Sequence, residues 1–300
     1  MSKKTKIWLS VALLLIVIGG GIFTAVMANL GWDFKKLSTT NMQTNVIEIT
    51  DNFNSISYDG DTTDIEFIAT DEEINKVVCF EEEKINHLVE IVDAKLVIKV
   101  VDDRAWYEKI GINFSHPKIT VYLSKGEYEN LTINSDTSDI DLSKGLTFKS
   151  VEIAVDTGDV KIKSNVLESL KVKTSTGDIL VEDITANTIE LSVTTGDIDL
   201  LKVNCKAVIS NGDTGDITLK EVIATEKFLI ERSTGDVEFI NSDAGEIKVK
   251  TSTGDVEGSL LSEKIFLITT ETGDKRVPYS TSGGPCEITT STGDIRITIN

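Results

Sequence analysis

Eight aspartates, Asp159, Asp178, Asp197, Asp216, Asp236, Asp255, Asp274 and Asp294, recur 19 or 20 residues apart, each closing a Thr-Gly-Asp triplet. Carboxylates in such a series have three uses. They could ligate Ca²⁺, which prefers hard oxygen donors. Two at one level could act as the acid and base of glycoside cleavage. Each could also accept a hydrogen bond from the backbone of its own turn. The even recurrence argues for the last, because a catalytic pair needs unusual residues gathered at one place. Calcium-binding rolls repeat Gly-Gly-x-Gly-x-Asp, and the densest stretch here, Asn211-Gly212-Asp213-Thr214-Gly215-Asp216, does not match. Asp59-Gly60-Asp61-Thr62-Thr63-Asp64 fails as an EF-hand loop, since Thr70 stands where the bidentate glutamate belongs. The eight aspartates are therefore a candidate binding column. No cofactor is expected, and calcium is the one metal their chemistry would admit.

Other reactive residues are sparse. His87 and His116 have no Cys-His, His-Glu-x-x-His or Ser-His-Asp context and read as surface or turn residues. No Gly-x-Ser-x-Gly elbow occurs, and the glycines are periodic instead of forming a phosphate loop. Cys79, Cys205 and Cys286 are odd in number and far apart, so a disulfide framework is not expected, and Cys205 and Cys286 read as core or turn residues. The chain reads as a non-enzyme.

The elements that carry the aspartates follow from their flanks. Positions −8 and −6 from each aspartate are apolar in most units, as in Val151 and Ile153, Leu170 and Val172, or Phe228 and Ile230; so are +1 and +3, as in Val160 and Ile162 or Ile198 and Leu200. A spacing of two is a strand period. From −6 to +1 is seven, an odd interval that would put the two sets on opposite faces of a flat strand, so the chain must bend at Thr-Gly-Asp. Units that cannot bury their own apolar edge do so by stacking. With Thr137-Ser138-Asp139 as a degenerate copy, the expected architecture is all-β, a single-stranded β-solenoid of about nine coils of 19–20 residues. Asp139 to Asp294 would span about 38 Å at a strand spacing of roughly 4.8 Å. An antiparallel meander turning at every second corner would give the same period. Ser210 at −6, Gly258 at +3 and Lys275 at +1 depart from the pattern, as does the loop containing Pro278, Gly283, Gly284 and Pro285, and all read as local irregularities.

Lys3, Lys4 and Lys6 precede an apolar run over residues 7–30 that is long enough to cross a bilayer. The positive-inside rule then leaves residues 1–6 as a cytoplasmic tail and everything after Trp32 outside. Trp32 suits the membrane interface. A cleaved signal peptide is the other reading, with Val26-Met27-Ala28 offering a cleavage site, but the run is longer than a usual signal core and a signal anchor is expected. The net charge of −19 argues against nucleic acid as a partner.

Residues 31–45 read as a polar linker and 46–130 as an N-terminal β cap or first coils, followed by the repeat solenoid over 131–300. Weak strand patterns mark the cap at Val46–Ile49, Ile56–Tyr58, Asp64–Ile68, Val77–Phe80, Leu88–Ile91, Leu96–Val100 and Ile119–Leu123. Trp106 and Tyr107 would cover the solenoid end or contact a partner. The far end, six residues beyond the last Thr-Gly-Asp, shows no cap.

The apolar N-terminal segment, the strand-rich lead-in with Asp64-Ile65-Glu66-Phe67 and Ile119-Thr120-Val121-Tyr122-Leu123, and the serial Ser-Thr-Gly-Asp-Ile/Val units make residues 46–300 resemble the bacterial adhesin family of membrane-anchored β-strand-repeat proteins. The resemblance implies a surface β-solenoid and supplies no catalytic residues. Some relatives are associated with cell-envelope stress in Gram-positive bacteria. The expected function is binding or sensing at the cell envelope by a single-pass membrane protein whose bulk is extracellular, with an envelope component or membrane protein as partner. The alternatives are a polysaccharide-active β-helix enzyme and a regulatory partner of a membrane protein.

Overall fold

The computed structural model describes residues 2–37, 40–106 and 115–300. One helix, Lys3–Asn29, opens the chain, and it is long and apolar enough to cross a membrane. The Ser2 hydroxyl caps its start by accepting from the Thr5 N–H, and Gly31 in the left-handed region follows its end. A short 3₁₀ turn, Phe34–Leu37, comes next. The first strand, Met42–Ile49, begins inside the span read as a linker. Ser38, Thr39 and Tyr107 lie outside the described residues.

Among the described residues all the remaining regular structure is β, wound as a solenoid. Each repeat contributes a long strand, bends at Thr-Gly-Asp, and contributes a short one, as Asn165–Thr176 and Ile179–Glu182 show. Long strands stack in parallel in one sheet and short strands in the other, which excludes the antiparallel meander for the repeats. The register places Val151 beside Leu170 and Leu170 beside Ile189, so the predicted apolar positions form continuous columns. Leu170, Val172, Ile179 and Val181 are all buried, as are their counterparts in neighbouring coils. This shared core is why a unit with only four apolar positions can be stable.

The corner has a second physical requirement besides the bend. Gly196 has φ +144°, and a Cβ there would collide with the carbonyl oxygen of Gly177 in the neighbouring coil. The corner glycines therefore sit directly on one another, and any side chain would push two coils apart. The spacing did not reveal a second corner. Asp183, Lys202, Glu221 and Asn241 all lie in the left-handed region with φ of 50–56°. They turn the chain so that Ile184, Val203, Val222 and Ser242 point back into the core.

The coils do not stack in chain order at either end. The strand Ser55–Gly60 pairs with both Lys95–Asp102 and Glu127–Thr137, so the coil starting at residue 55 lies inside the one starting at 95. Antiparallel strands close this end: Met42–Ile49 on Asn75–Glu82, Asn75–Glu82 on Lys118–Ser124, and Ile85–Val92 on Lys95–Asp102. At the other end, Gly284–Thr292 lies between the C-terminal half of Val237–Thr253 and Lys264–Thr272. The last Thr-Gly-Asp unit is thus interior and covered by the unit before it, which corrects the reading of an uncapped terminus. Gly283 and Gly284 make this possible, since a Cβ on either would meet the backbone oxygen of Glu263 or Gly245. The loop read as an irregularity is the passage by which the last strand enters the stack. Lys275 occupies a core position because its coil is the outermost one, and it is exposed there. Trp106 is 78% exposed, so it does not seal the other end.

Candidate functional site

The structure brings all eight predicted aspartates into one column, and extends it at one end with Asp139 and Asp64. Each carboxylate but that of Asp274, in the outermost coil, faces not its own turn, as expected from the triplet, but the next coil. Oδ1 of Asp64 accepts from the Asp139 N–H, Asp139 from Asp159, and so on through Asp178, Asp197, Asp216, Asp236, Asp255 and Asp294 to Asp274, at 2.6–3.0 Å. Backbone pairs flank each step, as in Gly177 N–H to Thr195 O at 3.0 Å and Ile179 N–H to Asp197 O at 2.9 Å. The parallel ladder therefore continues around the corner, and the carboxylate satisfies the one donor that the bend would otherwise orphan. The order Asp255, Asp294, Asp274 independently records the inverted coil order.

A row of like charges one strand spacing apart is unfavourable. Three things offset it here. One oxygen of every carboxylate except that of the terminal Asp274 is committed to an N–H, the column is solvated, and Arg296 crosses three acids near the distal end, pairing with Asp294 and lying 3.9 Å from Asp255 and 3.8 Å from Glu257. Gly258, lacking a side chain, leaves a shallow groove beside this arginine, lined by Glu238, Phe239, Glu257 and Thr298. One step off the column, the Asp141 carboxyl is held above its ordinary range, by burial first and by Glu66 second, against the pull of Lys161, Lys163 and Lys118.

Among the described residues, two buried side chains away from the column, Arg232 and His87, keep polar atoms without a partner. Arg232 takes a core position otherwise filled by Val155, Thr174, Val193 or Thr251, and Gly212 in the adjacent coil leaves room for it. Its Nη2 donates to Ser210 Oγ at 3.3 Å, which explains the serine at a core position, while Nε and Nη1 have no partner. Burial lowers its pKa, opposed by Asp197 and Asp216. The second is in the N-terminal cap, where Cys79, Glu81 and His87 are buried together. This corrects the surface reading of His87; His116 is exposed as expected. Cys79 and Glu81 share a face of one strand by alternation, a signal present in the sequence, but His87 joins them only because the following strand crosses to the other sheet. All three cysteines are buried and unpaired, and burial pushes each thiol up to about 12.

The sequence profile of the Toastrack DUF4097 family matches residues 53–214 and 187–300. No curated protein matches the chain. Among solved structures, a candidate lipid-binding protein from Parabacteroides distasonis is similar over 87% of this chain and 98% of its own, with a TM-score of 0.53 and 14% identity. A candidate adhesin from Parabacteroides merdae is similar over 87% of this chain and 97% of its own, with a TM-score of 0.51 and 14% identity. At this identity the likeness is one of fold.

Proposed function

Because the chain belongs to the Toastrack DUF4097 family, whose profile matches nearly all of its β structure, we propose that it is a non-enzymatic rod, anchored in the cell membrane by residues 7–30, that binds components of the cell envelope. The observation carrying this reading is the aspartate column. All its carboxylates but that of Asp274, which ends the series, are committed to the backbone of the adjacent coil, so they build the rod evenly and set no interior level apart for chemistry. An even, acidic, solvated surface suits contacts spread along the rod. The names of the two similar structures, a candidate lipid-binding protein and a candidate adhesin, are compatible with a binding module. The lysines Lys3, Lys4 and Lys6 in the first turns of the helix, ahead of its apolar run, support an orientation with the rod outside the cell by the positive-inside rule.

The test is co-sedimentation of the detergent-solubilised full chain with cell-wall sacculi, and its flotation with lipid vesicles, each with calcium and with chelator. Saturable binding to one of these is expected. Binding to neither would overturn the proposal, and release of soluble glycan fragments would replace it with the polysaccharide-active reading. Protease added to intact cells should remove the rod; protection of residues 46–300 would contradict the orientation.

A further inference from the structure

The coil that covers the terminal strand has an outer side of its own. Its long strand, Lys264–Thr272, pairs on one side with Gly284–Thr292, and its short strand, Lys275–Arg276, pairs on one side with Ile295–Ile299. Among the described residues no strand lies along the other side of either. Val277, from the loop that follows, packs against the end of the core. The distal tip of the rod therefore presents a strand edge nine residues long, with a row of backbone N–H and C=O groups open to pairing.

The residues on this edge favour pairing. Phe266 and Ile268 turn toward the core and are half-buried, while Ile265 and Leu267 turn outward and are exposed. In the coils beneath, the register sets Glu287 and then Lys248 at the place of Leu267. The strand has no proline, and its two charges, Lys264 and Glu271, stand near its ends. The edge strands at the other end of the rod, Met42–Ile49 and Ile85–Val92, carry Glu48 and Glu90, the kind of residue that deters pairing. The outermost coil is also electrically balanced. Residues 261–283 set Glu263, Glu271 and Asp274 against Lys264, Lys275 and Arg276, in a chain whose net charge is −19.

We propose that this edge is an interface for a second copy of the chain: two rods join tip to tip, each Lys264–Thr272 strand pairing antiparallel with the other across a two-fold axis, and so tether the membranes that hold their helices. The tethering rests on the anchored-rod reading above; the pairing does not. Charge selects a second copy as the occupant. A two-fold axis sets the start of one strand beside the end of the other, so Glu263 of each copy faces Lys275 and Arg276 of its mate, and all three are exposed in the single chain. Such a patch is self-complementary, as an isologous contact requires. The sides of two rods repel through their acidity, whereas two balanced tips do not. The helix precedes Met42–Ile49, which closes the opposite end, so in the joined pair the two helices leave from the far ends.

The test follows the mass of the full chain in detergent by sedimentation as its concentration rises. Monomer should give way to dimer and to nothing larger. Leu267→Lys should return the chain to monomer, since a lysine on an edge blocks strand pairing. Leu267 is 65% exposed, so the circular dichroism spectrum and melting temperature of this variant should match the wild type. Lys275→Glu with Arg276→Glu should weaken the dimer about tenfold or more, and adding Glu263→Lys should restore it. A wild-type chain that stays monomeric would overturn the pairing. So would a dimer that survives Leu267→Lys, which would place the contact in the helix, and so would growth beyond the dimer, which would mean head-to-tail stacking. Vesicles shown by flotation to hold the wild-type chain should cluster, and those holding Leu267→Lys should not. A dimer in detergent without clustering of such vesicles would overturn the tethering and leave the pairing standing.

Discussion

Asp197 shows what the repeated carboxylate does. Its Oδ1 accepts from the Asp216 N–H at 2.8 Å while its own N–H donates to Asp178 at 2.8 Å, so each acid holds one coil and is held by another. Asp197→Ala should lower stability by about 1 kcal/mol, the usual contribution of one such bond. Asp197→Asn keeps the acceptor oxygen and should stay within about 0.5 kcal/mol of the wild type. Equal losses in the two variants, measured by thermal melting, would mean that charge and not the hydrogen bond is what matters. Asp141 gives a pH signature. Its raised carboxyl binds a proton more tightly in the folded state, so its contribution to stability is present below the ordinary aspartate value and is lost as pH rises through the raised one. Asp141→Asn should therefore melt above the wild type at neutral pH, with the gap closing toward roughly pH 4. A gap that is constant with pH would argue against the burial effect.

At the scale of elements, the long strand, corner and short strand were legible because apolar periodicity and Thr-Gly-Asp are local signals. The second corner was not. Lys202 and Glu221 hold left-handed conformations there, and neither residue type favours that region. Coil order was equally hidden, because parallel pairing of near-identical units costs about the same whichever neighbour is chosen. Gly283 and Gly284 mark the exception in retrospect. The order is open to a direct test on pairs that share a register. Lys250 lies beside Thr289, and Thr289 beside Thr269. Cysteines at 250 and 289 should cross-link on mild oxidation, their Cα atoms being one strand spacing apart. Cysteines at 250 and 269 should not, and efficient cross-linking of that pair would restore sequential stacking.

The whole molecule is an acidic rod with a net charge of −19 and a helix at one end. Charge of that size favours solubility and discourages lateral association of rods. Ends are the hazard of such a fold, because unpaired strands invite further pairing. Antiparallel strands cover the N-terminal end, and the covering unit at the other end tucks the terminal strand inside. Since each coil contacts only its neighbours, stability should be nearly additive along the stack. Deleting residues 179–197 joins Asp178 to Ile198 in the same register. The shortened chain should keep its β circular dichroism spectrum and melt within about 10 °C of the wild type. Loss of the fold would show that the coils are not interchangeable.

Read alone, the sequence determines the repeat, the bend, the buried positions and the apolar helix, because each is encoded in residues close together in the chain. Resemblance to a strand-repeat family likewise rested on local motifs, and the family profile agrees with it. The tertiary structure decided where each carboxylate points, which unit ends the rod, and that Cys79, Glu81 and His87 meet. These depend on contacts between coils, whose partners lie a full turn or more away. No pattern within one turn records which neighbour a turn will have.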